Sequence, residues 1–120
     1  MMKILSNMIK EKFANIEKIF IKFEETTLGN CKHILRKYEK TYLPDSKLDE
    51  ITSSFIKCSN SLCNYGRYNI PLTTVIVEMN EINEVNRVIY KKCKGFEKMG
   101  KNITRKCMYN LTCFITIEYR

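Results

Sequence analysis

Little in this chain punctuates the backbone. Its 120 residues include four glycines and two prolines, a scarcity that favours helices over a turn-rich β fold. A single histidine, His33, stands without a Ser or Cys nucleophile in any recognisable signature, so it reads as a surface residue. There is no glycine-rich phosphate loop and no C-x-x-C pair, which removes nucleotide-cradling and thioredoxin-like redox chemistry. No apolar run approaches the ~20 residues of a membrane span. These absences leave no enzyme class supported, and the expectation is a non-enzymatic protein with no cofactor.

What is present begins with size and cysteine. The length suits one domain with a real core. Six cysteines, Cys31, Cys58, Cys63, Cys93, Cys107 and Cys113, read first as a disulfide framework of unknown pairing. That framework needs an oxidising compartment, so the expected location is extracellular. The N-terminus shows no uninterrupted signal-peptide core, because Asn7, Lys10, Glu11 and Lys12 break it. A mature or fragmentary start would reconcile the two; reduced thiols inside the cell are the alternative. Zinc is disfavoured by sequence spacing, with four residues between Cys58 and Cys63, five between Cys107 and Cys113, and no paired histidines.

Hydrophobic spacing predicts a single, mostly helical, disulfide-stapled domain of four to five helices over 1–120. In 1–25 the residues Leu5, Met8, Ile9, Phe13, Ile16, Ile19, Phe20 and Phe23 recur every three or four positions, as in an amphipathic helix. The remainder, 26–120, carries the cysteines. A second helix is expected over 31–42. A third starts at Asp45 or Ser46, with Leu48, Ile51, Phe55, Cys58 and Leu62 along one face. Pro71 suits a first helical turn before Val75, Met79, Ile82, Val85, Ile89 and Cys93, although the run from Thr73 to Val77 is also strand-like. Ile103, Cys107 and Leu111 suggest a last helix. In the C-terminal tail Ile115, Ile117 and Tyr119 alternate with polar residues, so an extended tail competes with a helical one.

The net charge is +8 and its excess lies in the last third. Lys91, Lys92, Lys94, Lys98, Lys101, Arg105 and Lys106 form a candidate anion-binding patch interleaved with Tyr90, Phe96 and Tyr109. No nucleic-acid motif frames the patch, so a protein or anionic glycan is the expected partner and nucleic acid is disfavoured. The sequons at Asn102 and Asn110 are possible glycosylation sites, though an Asn-rich chain yields such triplets by chance. Glu78, Glu81 and Glu84 read as the solvated side of a helix.

Two segments, ITSSFIKCSNSLC and YKKCKGFEKMGKNITRKCMYNLTCF, carry a resemblance. Their cysteine order and apolar flanks resemble a nematode-expanded family of small secreted, cysteine-rich helical domains of unknown function. That family's eight-cysteine pattern would place cysteines near Ile51 and upstream of Cys31, where this chain has none. The resemblance implies secretion and disulfides and supplies no catalytic residues. The interval from Cys31 to Cys58 also resembles that of insect odorant-binding proteins, although the later spacings depart from theirs. The expectation is a secreted binding module. A carrier with an apolar cavity between helices, or an intracellular basic protein with free thiols, are the alternatives.

Overall fold

In a computed structural model, residues 13–27, 33–43 and 55–120 are described. The described residues are mostly β, which overturns the mostly helical expectation. Its elements are β1 (Ile16–Thr27), β2 (Arg36–Tyr42), β3 (Cys63–Asn64), α1 (Leu72–Glu81), β4 (Asn86–Lys92), β5 (Phe96–Gly100), β6 (Ile103–Lys106) and β7 (Tyr109–Tyr119). Four antiparallel strands form a sheet in the order β2-β1-β7-β4, and β3-β5-β6 form a smaller one.

The expected first helix is a strand from Ile16 onward; residues 1–12 lie outside those described. A register shift between Ile16 and Lys18 gives the strand its helix-like spacing. A bulge inserts one residue, so Ile16 and Ile19 face the core together although they are three apart. Beyond it the period is two: Ile19, Ile21, Phe23 and Glu25 are buried, while Phe20 is 40% exposed. The second expected helix is β2. The third lies largely outside the described residues, and Leu62, assigned to its apolar face, is exposed. The last helix is replaced by β6 and β7, whose Leu111, Cys113, Ile115 and Ile117 point inward.

One helix remains. α1 follows Pro71 and lays Leu72, Val75, Ile76 and Met79 against the sheet. It stops well short of Cys93. Asn83 takes a left-handed φ of 54°, a conformation asparagine tolerates, and the chain turns into β4. The Tyr119 hydroxyl lies 2.7 Å from the Glu84 carbonyl and 3.2 Å from that of Met79, covering the helix end with the last turn of β7.

The inner face of the large sheet, α1, Phe55, Tyr68 and Ile70 enclose the core. Phe55 stacks on Phe23 with ring centres 5.0 Å apart and meets Tyr38 edge-on. A space of about 10 Å³ lies among Phe23, Phe55, Tyr68 and Leu111, room for no more than one water. This space within the core is too small for an apolar ligand.

β4 to β7 form one long hairpin. Lys92 sits opposite Asn110 and Phe96 opposite Lys106, so the register of the large sheet continues unbroken into the small one. Between them the ladder is held by Cys93 N–H to the Tyr109 carbonyl at 3.0 Å and Cys107 N–H to the Gly95 carbonyl at 3.1 Å. The hairpin has a core-packed base, a waist at two cysteines and a projecting tip.

Ile21→Ala should destabilise the protein by about 2–5 kcal/mol, as expected for a buried aliphatic deletion. Phe20→Ala should cost less than half as much. Chemical denaturation of both variants checks the strand phase; similar losses would indicate that the two residues share one buried face.

Candidate metal centre

The unbroken register brings Cys93 and Cys107 together at the waist of the hairpin, one on each strand. Cys58 and Cys63 arrive from a separate loop that packs beside β5 through β3. The four Sγ atoms all lie within 4.8 Å of one another. Cys58 and Cys107 are 3.7 Å apart at sulfur, and Cys63 and Cys93 are 3.6 Å apart. A tetrahedral zinc with Zn–S bonds of about 2.3 Å needs sulfurs about 3.8 Å apart. A disulfide needs them at about 2.05 Å. An iron–sulfur cluster would interpose its own iron and sulfide atoms and spread the cysteines wider.

The surrounding donors point the same way. The backbone N–H of Asn60 reaches Cys58 Sγ at 3.5 Å, and that of Gly95 reaches Cys93 Sγ at 3.3 Å. The N–H of Tyr109 donates to Cys107 Sγ. Each donor stands two residues after its cysteine, so the chain folds around three of the four sulfurs in the same way. Such bonds favour the thiolate, the form a metal takes.

Asn60 organises the loop. Its Nδ2 contacts Cys107 Sγ at 3.5 Å and Glu97 Oε2 at 3.2 Å, while its Oδ1 accepts the Leu62 N–H at 3.0 Å. Its carbonyl accepts the Cys63 N–H at 3.0 Å. Glu97 is buried beneath the tip and also accepts from Arg105 Nε at 2.8 Å. Arg105 first, then Asn60, holds the Glu97 carboxyl below the usual carboxylate range.

Two of the four glycines belong to this site. A Cβ on Gly66 would stand 2.3 Å from Cys63 Sγ and 2.9 Å from Cys93 Sγ; one on Gly95 would stand 2.4 Å from Cys63 Sγ. The backbone closes on the sulfurs more tightly than any side chain permits.

Without a cation, the thiols resist charge. Burial, reinforced by the Cys93 thiol, pushes Cys58 up to about 12. Burial and the thiols of Cys93 and Cys107 also raise Cys63. Cys107 is the exception: burial opposes its ionisation, but the Asn60 amide, the Tyr109 N–H and the neighbouring thiols together lower it. A divalent cation reverses this balance by pairing with the charge that burial penalises.

The loop is tied to the main core through Glu25, fully buried on β1. Its carboxylate accepts from the Ser59 N–H at 3.2 Å, the Ser59 hydroxyl and the Tyr68 hydroxyl at 2.5 Å, and pairs with Arg36 Nε at 3.3 Å. Arg36 also lies over the Phe55 ring and donates to the Lys57 carbonyl at 2.9 Å. Sheet and sulfur loop thus share one buried carboxylate.

The other sequence-marked residues fall elsewhere. Cys113 is buried in the core sheet, and burial pushes its thiol up to about 12. Cys31 lies outside the described residues. Asn102 occupies the exposed hairpin turn at φ 63°, and Asn110 is half-buried on β7. His33 is exposed, and Glu78 and Glu84 pair with Arg87. The quartet draws on two segments distant in sequence, so the spacing of neighbouring cysteines does not reveal it, and no motif marks Asn60, Gly66 or Gly95. No protein-family model, curated protein or solved structure matches this chain, so the reading of the site rests on its geometry.

Asn60→Ala should weaken zinc or cobalt binding by about 10- to 100-fold, the usual cost of losing an outer partner of metal ligands. Competition titration against a chelator of known affinity measures it. A change under twofold would remove Asn60 from the centre.

Proposed function

We propose that this protein is a non-enzymatic interaction module whose long β hairpin is held by a structural zinc centre at Cys58, Cys63, Cys93 and Cys107. The observation that carries the reading is the convergence of the four Sγ atoms within 4.8 Å. Four thiolates close the coordination shell and leave no position for water or substrate, the form of structural rather than catalytic zinc. Tetrahedral sulfur sets select zinc among divalent ions of ordinary availability.

The position of the centre explains its role. The tip beyond it, Phe96 to Lys106, packs against little but β3, and all of β6 is exposed. A two-stranded tip of this length is marginal by itself. Zinc at the waist fixes both strands to the loop of Cys58 and Cys63, and through Ser59 to Glu25 and the core. The module then presents a rigid basic hairpin to a partner.

Metal ligation requires reduced thiols, so this reading goes with a reducing compartment or with zinc loaded before exposure to oxidant. Two disulfides, Cys58–Cys107 and Cys63–Cys93, are the rival use of the same four residues. Disulfides ask for two separate pairs, whereas here all four sulfurs share one centre ringed by N–H donors.

Native mass spectrometry of the full chain, purified under reducing conditions, should show one zinc per chain. Removing it with a chelator should lower the melting temperature and expose four thiols to alkylation. Protons compete for the sulfurs, so affinity should fall as the pH is lowered. A metal-free chain that, purified without reductant, is four hydrogens lighter than its fully reduced form would overturn the proposal.

A further inference from the structure

The continuous register sorts the hairpin into two faces. Along 91–98 burial alternates: Cys93, Gly95 and Glu97 are buried, while Lys92, Lys94, Phe96 and Lys98 are exposed. The inner set makes the metal centre and its Glu97–Arg105 support. The outer set, extended back to Tyr90, reads Tyr90, Lys92, Lys94, Phe96 and Lys98, with Lys106 opposite Phe96 on β6. Glu97 is the one carboxylate between Glu84 and Glu118, and it is turned inward and paired. The outer face of the hairpin is therefore positive without local opposition. Glu24, two strands away from Tyr90 in the register, marks where the stripe ends.

Aromatic groups punctuate this stripe. Tyr90 is 77% exposed and Tyr65 is 85% exposed. Tyr65 holds a left-handed φ of 59°, an unfavourable conformation for a bulky side chain. It sits between the sulfur loop and Gly66, and its ring lies 5.9 Å from that of Phe96. The backbone thus accepts strain at a residue whose side chain is left in solvent beside another aromatic ring.

We infer that this outer face, from Tyr90 to Lys98 with Tyr65 and Lys106, binds single-stranded nucleic acid. Side chains on one face of a strand recur about every 6.6 Å, a stride an extended polynucleotide can follow. Lysines in that row neutralise phosphates, and exposed rings between them offer stacking platforms for bases. An acidic peptide would use the charges but not the rings, and a lipid surface would need a contiguous apolar patch. The inference deepens the zinc-module reading and rests on it for the placement of the hairpin. The absence of a recognised nucleic-acid motif, which disfavoured this partner in the sequence, is met here by a face that only the register assembles.

The test uses the full zinc-loaded chain and fluorescence anisotropy, with a labelled oligothymidylate and an abasic strand of equal length as probes. The oligothymidylate should bind more tightly than the abasic strand. Tyr65→Ala and Tyr90→Ala should each weaken its binding by roughly fivefold or more, leaving the abasic strand within about twofold. Lys94→Ala and Lys98→Ala should each lower the salt slope of log K by about 0.7. Zinc content of every variant is measured alongside and should stay at one per chain. Equal affinity for both probes, insensitive to Tyr65 and Tyr90, would overturn the inference in favour of a general polyanion surface such as one for sulfated glycan. So would no binding by a zinc-loaded chain. A chain that takes up no zinc yet binds oligothymidylate through Tyr65 would sink the zinc reading and leave this one standing.

Discussion

Four sulfur atoms meet at one point although two of them come from a loop and two from the middle of a hairpin some thirty residues later. Much of the architecture follows from that requirement. The hairpin must keep one register from the core to its waist, or Cys93 and Cys107 would not face the same way. The loop must approach closely, and Gly66 and Gly95 allow it. Asn60 must turn the loop back while its side chain spans Cys107 and Glu97. Each is a small local preference; the convergence of sulfurs makes them interdependent.

The core provides the other anchor. Strands β1 and β7 are buried on one face and open on the other, where Phe20, Lys22, Phe114 and Thr116 border a broad depression of about 610 Å³. Glu25 carries the inner face over to the sulfur loop. Burying a carboxylate is costly unless every oxygen is satisfied, and here Ser59, Tyr68 and Arg36 satisfy both. Its partners come from β2, the sulfur loop and the segment before α1, so it serves as a joint between otherwise separate pieces of polar structure.

The alternation of Ile115, Ile117 and Tyr119 is visible in the sequence, and so is the helix start at Pro71. The bulge near Ile16 gave the first strand a spacing of three and disguised it as a helix. In β4, Arg87, Ile89 and Lys91 face inward, but two of the three are charged, so the burial pattern was muted. The cysteines share a helix-like spacing with their apolar neighbours, which hides their place on strands and loop. Four residues between Cys58 and Cys63 is the upper end of what a zinc loop uses, and the second pair is local only after a hairpin folds between its members. Scarce glycine ordinarily points to helix. Two of the four glycines instead mark where backbone crowds sulfur, a signal available in Tyr65-Gly66 and Lys94-Gly95, each close to a cysteine.

One register runs from the Asn86–Thr116 pair to the Lys98–Thr104 pair. Strands of alternating character can slide past one another, and a slip of one position would turn Cys93 outward and bring Lys94 into the centre. Such a slipped chain could not assemble four thiolates. With the proposed zinc, only the correctly aligned hairpin could complete a four-thiolate shell, so metal capture would check the alignment during folding. A chain poor in the turn residues that usually set strand alignment would thus have its alignment checked by an ion.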